Sequence, residues 1–165
     1  MQTPVCELCA TTNSLCSGCR AKLADGRITE FDVQVAHLLS KYKEKFALQK
    51  VQFDRALDLG RMAVILTSSD VSHLVGKGGK TAQALSKELG KRVRIVHANA
   101  DPRALLEEIL LPVKPTGVNT VFTQKGKQLK VRIARKDVVH LPTDLDSINR
   151  VLHSLMGENT VLVFE

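Results

Sequence analysis

The chain has no tryptophan, one tyrosine and five phenylalanines among its 165 residues. Aromatic residues make up only 4% of it, so few rings are available for an exposed stacking platform. Tyr42 and most of the phenylalanines also fall into apolar stripes that read as core. No apolar run approaches the length of a membrane-crossing helix, which excludes that class of membrane protein. The opening residues, Met1 to Cys6, lack the basic and apolar regions of a secretory signal. A cytoplasmic chain with no membrane partner is expected. Catalytic spacing is missing too. His37, His73, His97, His140 and His153 stand apart from one another and from any nucleophile pattern, so no enzyme is expected. His37, beside an apolar helical stripe, reads as a structural histidine.

What is present is an ordinary globular composition. Hydrophobic residues make up 44% and charged residues 25%, enough for one good core or two small ones. The net charge of +7 is unevenly spread. Residues 61–96 carry seven basic residues against two acids, and residues 111–136 carry seven basic residues and no acid. A short acidic stretch, 97–110, lies between them, and 137–165 is acidic again. Basic blocks of this kind attract polyanions, although a solvated basic surface would look the same.

Periodicity gives a coarse map. Phe31, Val35, Leu38, Leu39, Tyr42 and Phe46 make one helical stripe from about Glu30 to Phe46, with Thr29 as cap and Asp32 three residues on. Val51, Phe53, Leu57 and Leu59 alternate as in a half-buried strand. Met62 to Leu66 is a continuous apolar run, suited to a strand buried on both faces. Ser68, Ser69 and Asp70 offer caps for a short helix with Val71, Leu74 and Val75. A helix from about Lys80 to Leu89 ends at Gly90, and Val93 to Val96 is a further strand. Asp101-Pro102 opens a connecting helix that stops before Pro112. Two strands around a Lys-Gly turn follow (about Asn119–Gln124 and Gln128–Ala134). Then come a helix from Asp144 to Leu155, with Thr143 as cap and Gly157 as terminator, and a strand from Thr160 to Phe164.

All four cysteines fall within the first nineteen residues, which calls for a local explanation. Cys6-x-x-Cys9 and Cys16-x-x-Cys19 are two hooks, each able to place two sulfurs on one ion, and Gly18 suits the second turn. Four thiolates around a structural Zn2+ would fill a tetrahedral site, leave no position for water, and supply folding energy that this polar segment lacks. Disulfides, redox thiols and an iron–sulfur cluster are the alternatives; neither the compartment nor the spacing favours them.

The second motif is Val75-Gly-Lys-Gly-Gly-Lys-Thr81. A nucleotide-binding phosphate loop would need a glycine where Leu74 stands, and would have to leave a strand directly. The remaining reading is a Gly-x-x-Gly turn between two helices. Glycines let the backbone approach phosphate oxygens, the following helix adds its positive end, and Lys77 and Lys80 add charge. Leu74, Val75, Ala82 and Leu85 would line one side of a groove for bases. Val93 or Ile95 would line the other, with Arg94 at the rim and Lys87 further along the helix. A plain helix–turn–helix corner is the bland alternative.

From Val75-Gly-Lys-Gly-Gly-Lys-Thr81 through Leu89-Gly-Lys-Arg-Val-Arg-Ile-Val96, the sequence resembles the KH domains of the NusA-like family, and most closely the small archaeal NusA-related proteins. The upstream helix and extra strand match the type II KH order. The resemblance is specific over about residues 61–96 and looser over 30–165. It implies an α+β fold of two KH-like units preceded by a small zinc knuckle. The first is type II with the GxxG loop, and the second is degenerate, reading Val139-His-Leu-Pro-Thr143 where a loop would stand. The corresponding domains are 1–25, 26–100 and 101–165. The implied function is binding of single-stranded RNA, ribosomal or nascent, through Gly76, Lys77, Gly78, Gly79, Lys80, Lys87 and Arg94. Lys125, Lys127, Lys130, Arg132, Arg135 and Lys136 would either extend that track or form a solvated strand face. A second expectation is a zinc-dependent scaffold docking on a ribosome or RNA polymerase, with Cys6, Cys9, Cys16 and Cys19 as ligands.

Overall fold

The computed structural model describes residues 1–12, 14–156 and 159–165. The Gly157 terminator lies outside them. The chain forms two compact units, Met1–Asp58 with Ala63–Asn99, and Leu59–Met62 with Ala100–Glu165. It is an α+β fold with two three-stranded sheets.

The first unit runs α1 (Glu7–Thr11), α2 (Ser17–Ala24), α3 (Glu30–Tyr42), β1 (Phe53–Asp58), β2 (Met62–Thr67), α4 (Val71–Val75), α5 (Lys80–Leu89) and β3 (Arg92–His97). Its sheet order is β1-β2-β3, with β1 and β2 antiparallel. Every residue of β2 is buried, as a continuous apolar run in a central strand requires. Val35, Ala36 and Leu39 of α3 join Phe53, Ile65, Leu74 and Leu85 in one core cluster. Val5, Cys9, Ala10 and Cys19 belong to the same cluster, so the cysteine segment packs into this unit. His37 has the structural part expected of it, its Nδ1 lying 2.9 Å from the Ala10 carbonyl oxygen.

Two local differences from the sequence reading have clear causes. Helix α3 stops at Tyr42, four residues early, because the chain reverses through Ala47, whose φ is +53°. Phe46 still packs beside Tyr42, ring centroids 5.4 Å apart. In β1 the register shifts between Phe53 and Arg55, and this bulge turns Phe53 and Ala56 inward while Leu57 is only half-buried. The simple alternation of Val51, Phe53, Leu57 and Leu59 therefore fails in its middle.

Asp32 links the helix to this bulged strand. Its backbone N–H donates to Thr29 Oγ1 (3.1 Å), and its Oδ2 accepts the Thr29 N–H (2.8 Å), a reciprocal capping box. Its Oδ1 accepts the Ala56 N–H at 2.7 Å, and the residue is 4% exposed. Removing this carboxylate leaves two amides without their acceptor, one of them buried. Asp32→Ala is expected to cost about 2–4 kcal/mol, read as a lower urea midpoint for the first unit. A change below about 0.5 kcal/mol would contradict the assignment.

The second unit runs α6 (Pro102–Leu110), β4 (Gly117–Thr123), β5 (Gly126–Ile133), a 3-10 turn at Arg135–His140, α7 (Leu145–Met156) and β6 (Asn159–Phe164). Its sheet order is β4-β5-β6, with β4 and β5 antiparallel and β5 and β6 parallel. Leu106, Ile109 and Leu110 of α6, Val131 and Ile133 of β5, and Ile148 and Leu152 of α7 are fully buried. Asp101 caps α6, and Pro102 occupies its first turn, where a missing N–H costs nothing. Thr143 precedes α7 and is tied down, its hydroxyl donating to the Leu59 carbonyl at 2.8 Å. Asp144 takes over as acceptor for the Ser147 N–H (2.9 Å). The segment Val139–Thr143 holds no glycine and leads into a single helix.

Candidate metal centre and glycine-loop surface

The two Cys-x-x-Cys hooks are two helix starts. Cys6 stands at the N-cap of α1 and Cys16 at the N-cap of α2, and the partner of each, Cys9 and Cys19, lies one turn inside. A cap and a residue three positions on face the same side of a helix, so each hook presents its two sulfurs together. All four Sγ atoms lie within 4.8 Å of one another, with Cys6 and Cys16 3.9 Å apart. Sulfurs at about 2.3 Å from one tetrahedral ion would be about 3.8 Å apart, so the donor set and its spacing suit such an ion. Cys9 and Cys19 are buried, whereas Cys6 and Cys16 are exposed. Backbone amides also point at the sulfurs: Cys16 N–H to Cys9 Sγ (3.1 Å), Cys6 N–H to Cys19 Sγ (3.4 Å), and Cys19 N–H to Cys16 Sγ (3.4 Å).

These contacts set the acidity of the thiols. The Cys19 amide, then the neighbouring Cys9 thiol, lowers Cys16 to about 6. The Cys9 amide, then the Cys9 thiol, lowers Cys6 as well. Cys9 accepts the Cys16 amide, which favours its thiolate, yet the sulfur of Cys6 and burial push it up to about 12. Neighbouring anions a few ångströms apart repel, so the group keeps a proton unless a cation replaces it. Gly18 turns out not to be required by the turn. It lies within α2, and a Cβ there would sit 3.8 Å from Cys16 Sγ, an ordinary contact.

The glycine loop joins α4 to α5, so it leaves a helix and not a strand. Asp70 caps α4, accepting the Ser72 N–H at 2.9 Å. Gly76, Gly78 and Gly79 have φ of +80°, +65° and +75°, a backbone that other residues resist. That run of positive φ explains why three of the four loop residues are glycine. Gly76 has a second reason. A Cβ there would strike the buried Thr81 hydroxyl and come within 3.0 Å of its backbone nitrogen. At Gly78 a Cβ meets nothing within 4 Å. Gly76→Ala is therefore expected to cost about 3 kcal/mol or more and Gly78→Ala only about 1 kcal/mol, a ranking that thermal denaturation reads directly. Equal costs would show that the Thr81 contact does not matter.

Within the loop the Gly76 N–H donates to the Ser72 carbonyl, the Gly79 N–H to the Gly76 carbonyl, and the Lys80 N–H to the Lys77 carbonyl. These three donors are therefore engaged inside the turn, so the expected set of free amides is smaller than the motif suggests. Exposure falls on Lys77, Gly78 and Lys80. Lys80 and Lys87 are seven residues apart on α5, so both exposed ammonium groups share one helix face. Residues 71–87 include no acid. The first acid beyond them, Glu88, is held by Tyr42 Oη (2.5 Å) and Lys41 Nζ (3.1 Å) on α3, and these contacts lower its pKa.

The groove walls differ from expectation. Leu74 and Leu85 are fully buried in the core and line no open surface. The apolar residues left beside the loop are the half-buried Val75 and Ala82. Val93 and Ile95 pack against the core cluster, which puts Arg94 on the opposite face of β3. Arg94 is half-buried, and its Nε is buried with no hydrogen-bond partner among the described residues. Sequence reasoning missed Thr81, the residue beneath Gly76, because a buried threonine in an amphipathic helix gives no periodic signal. It also missed the exposure of Leu8 (67%) between the first pair of cysteines, and of Phe122 (81%) in β4.

No family model matches the chain, and no curated protein matches it. Among solved structures the chain is similar to the one described as "Crystal structure of APE1850". The two are 20% identical, the match spans 76% of this chain and 96% of that one, and the TM-score is 0.50. This is a likeness of fold. Among the described residues no helix is long and apolar enough to cross a membrane.

Proposed function

We propose that the chain is an RNA-binding protein of the NusA-like type II KH kind, in which the Gly76–Gly79 loop grips the backbone of single-stranded RNA, ribosomal or nascent. The observation that carries this reading is the loop itself: an exposed Lys77-Gly78 pair at a helix-to-helix turn, followed by Lys80 and Lys87 on one face, with no acid between residues 71 and 87. Glycine at 78 lets a phosphate approach the backbone without meeting a side chain, and the lysines supply charge. The order helix, strand, strand, helix, loop, helix, strand supports the same reading. The role is binding, not catalysis, and Zn2+ in the four-cysteine centre is structural. A ring of four sulfurs fills a tetrahedral ion and leaves no coordination position for substrate.

Titration of a labelled single-stranded RNA oligonucleotide tests the reading. Binding is expected to weaken with salt, log K falling by about 0.7 per phosphate contacted for each unit of log salt, and to be weaker for a duplex of the same sequence. Salt-independent binding, or none, would contradict it.

A second reading, a zinc-dependent scaffold docking on a ribosome or RNA polymerase, is favoured by Leu8. This large apolar side chain is 67% exposed between Cys6 and Cys9, held out on a short helix that the metal would stiffen. A partner retained after nuclease treatment, and lost in Leu8→Asp, would support it.

A further inference from the structure

The β4–β5 hairpin carries a feature that the glycine-loop reading does not use. Its register runs Val121↔Gln128, Phe122↔Lys127 and Thr123↔Gly126, with Gln124 and Lys125 at the turn. The turn is held by Thr123 Oγ1 donating to the Gly126 carbonyl (2.9 Å), and Gly126 takes φ +113°. Directly paired residues share one face of an antiparallel ladder, so Phe122 and Lys127 lie side by side. Along β5 that face also carries Leu129, Val131 and Ile133. Ile133 and Val131 are fully buried, Leu129 is half-buried and Lys127 is exposed. The covered part of the face thus ends before the tip, and Phe122 projects beyond it, 81% exposed.

A lone exposed ring is common on protein surfaces, but one set among lysines is suited to a stacked base. Its surroundings indicate what would cover it. Lys125 and Lys127 are exposed beside it, and residues 111–136 include seven basic residues and no acid. An apolar protein partner would have to bury those ammonium groups at a cost, whereas a nucleic-acid strand offers a flat base for the ring and phosphates for the lysines. We infer that the tip of the β4–β5 hairpin is a second nucleic-acid contact, in which a base of a single-stranded segment stacks on Phe122 while Lys125 and Lys127 hold its backbone. This deepens the RNA-binding reading by adding a site in the second unit, and it reverses the expectation that stacking plays little part.

The test uses the full chain, its zinc centre intact, and a short fluorescein-labelled oligouridylate. Phe122→Ala and Phe122→Leu are each expected to weaken binding about tenfold, because Leu keeps apolar area but has no ring. Phe122→Tyr should bind like the parent. Ultraviolet crosslinking followed by peptide mapping should place uridine on the peptide containing Phe122, and should do so even when Lys77 and Gly78 are both replaced by Asp. Unchanged affinity in Phe122→Ala, with no crosslink at that peptide, would overturn the inference while leaving the loop reading intact. Equal binding by the Leu variant and the parent would also overturn it, since contact would then need only apolar area. Loss of binding in the Phe122 variants, with none in the loop variant, would instead sustain the hairpin and remove the loop.

Discussion

Withholding metal ions from the four-cysteine centre with a strong chelator is expected to unfold residues 1–25 and to loosen the face of α3 that they cover. Structural zinc in small cysteine modules contributes binding energy on the order of 10 kcal/mol, and that energy is folding energy. Here α1 and α2 are only five and eight residues long, too short to persist alone. Their buried residues are few, and Cys9 and Cys19 themselves are two of the three that they place in the core. The effect is not confined to the module. Val5, Cys9, Ala10 and Cys19 pack in the same cluster as Val35, Ala36 and Leu39, so losing them uncovers that face of α3. Cys16→Ser should reproduce the chelator: it takes away one ligand and the sulfur that accepts the Cys19 N–H. A loss on the order of 3 kcal/mol lowers the melting midpoint of a domain this size by roughly 15 °C. Differential scanning calorimetry with and without chelator, beside limited proteolysis within residues 1–25, measures both parts. Identical melts and identical cleavage would show that the cysteines do not hold a stabilising ion.

The elements that could be read from sequence are those whose signal is local. The five-residue apolar run Met62–Leu66 implies burial on both faces, and all five residues are buried, with Thr67 after them. Thr29 and Asp32 announce a helix start through their spacing alone. The paired cysteines indicate a shared site because three-residue spacing at a helix start leaves their sulfurs little choice. What escaped depends on tertiary neighbours. That Asp32 also receives the Ala56 amide requires a bulge in a strand more than twenty residues away. Leu74 and Leu85 belong to short amphipathic helices whose apolar side serves core or groove equally well on paper; the sheet beneath them takes both. Phe122 sits in an alternating strand like any core phenylalanine. Only the point at which the covered face ends, between Leu129 and Lys127, decides that it is exposed. In the same way the amides of Gly79 and Lys80 look free in the motif, but the 3-10 turn engages them.

Lys77 and Gly78 carry the proposed grip on RNA, and the charge-reversing variant Lys77→Asp with Gly78→Asp is expected to abolish most of it. The two substitutions remove one cation and place two carboxylates where a phosphate is proposed to lie, so attraction becomes repulsion at contact range. They also put a side chain where the backbone would approach the strand. The structure indicates that the variant folds. Lys77 is exposed, a Cβ at Gly78 meets nothing within 4 Å, and aspartate tolerates the φ of +65° at a cost of about 1 kcal/mol. The measurement is the affinity of the zinc-loaded variant for single-stranded RNA, taken beside its circular dichroism and melting curve. Affinity is expected to fall by about a hundredfold or more with the fold retained. A variant that melts like the parent and binds RNA with the parent's affinity would contradict it.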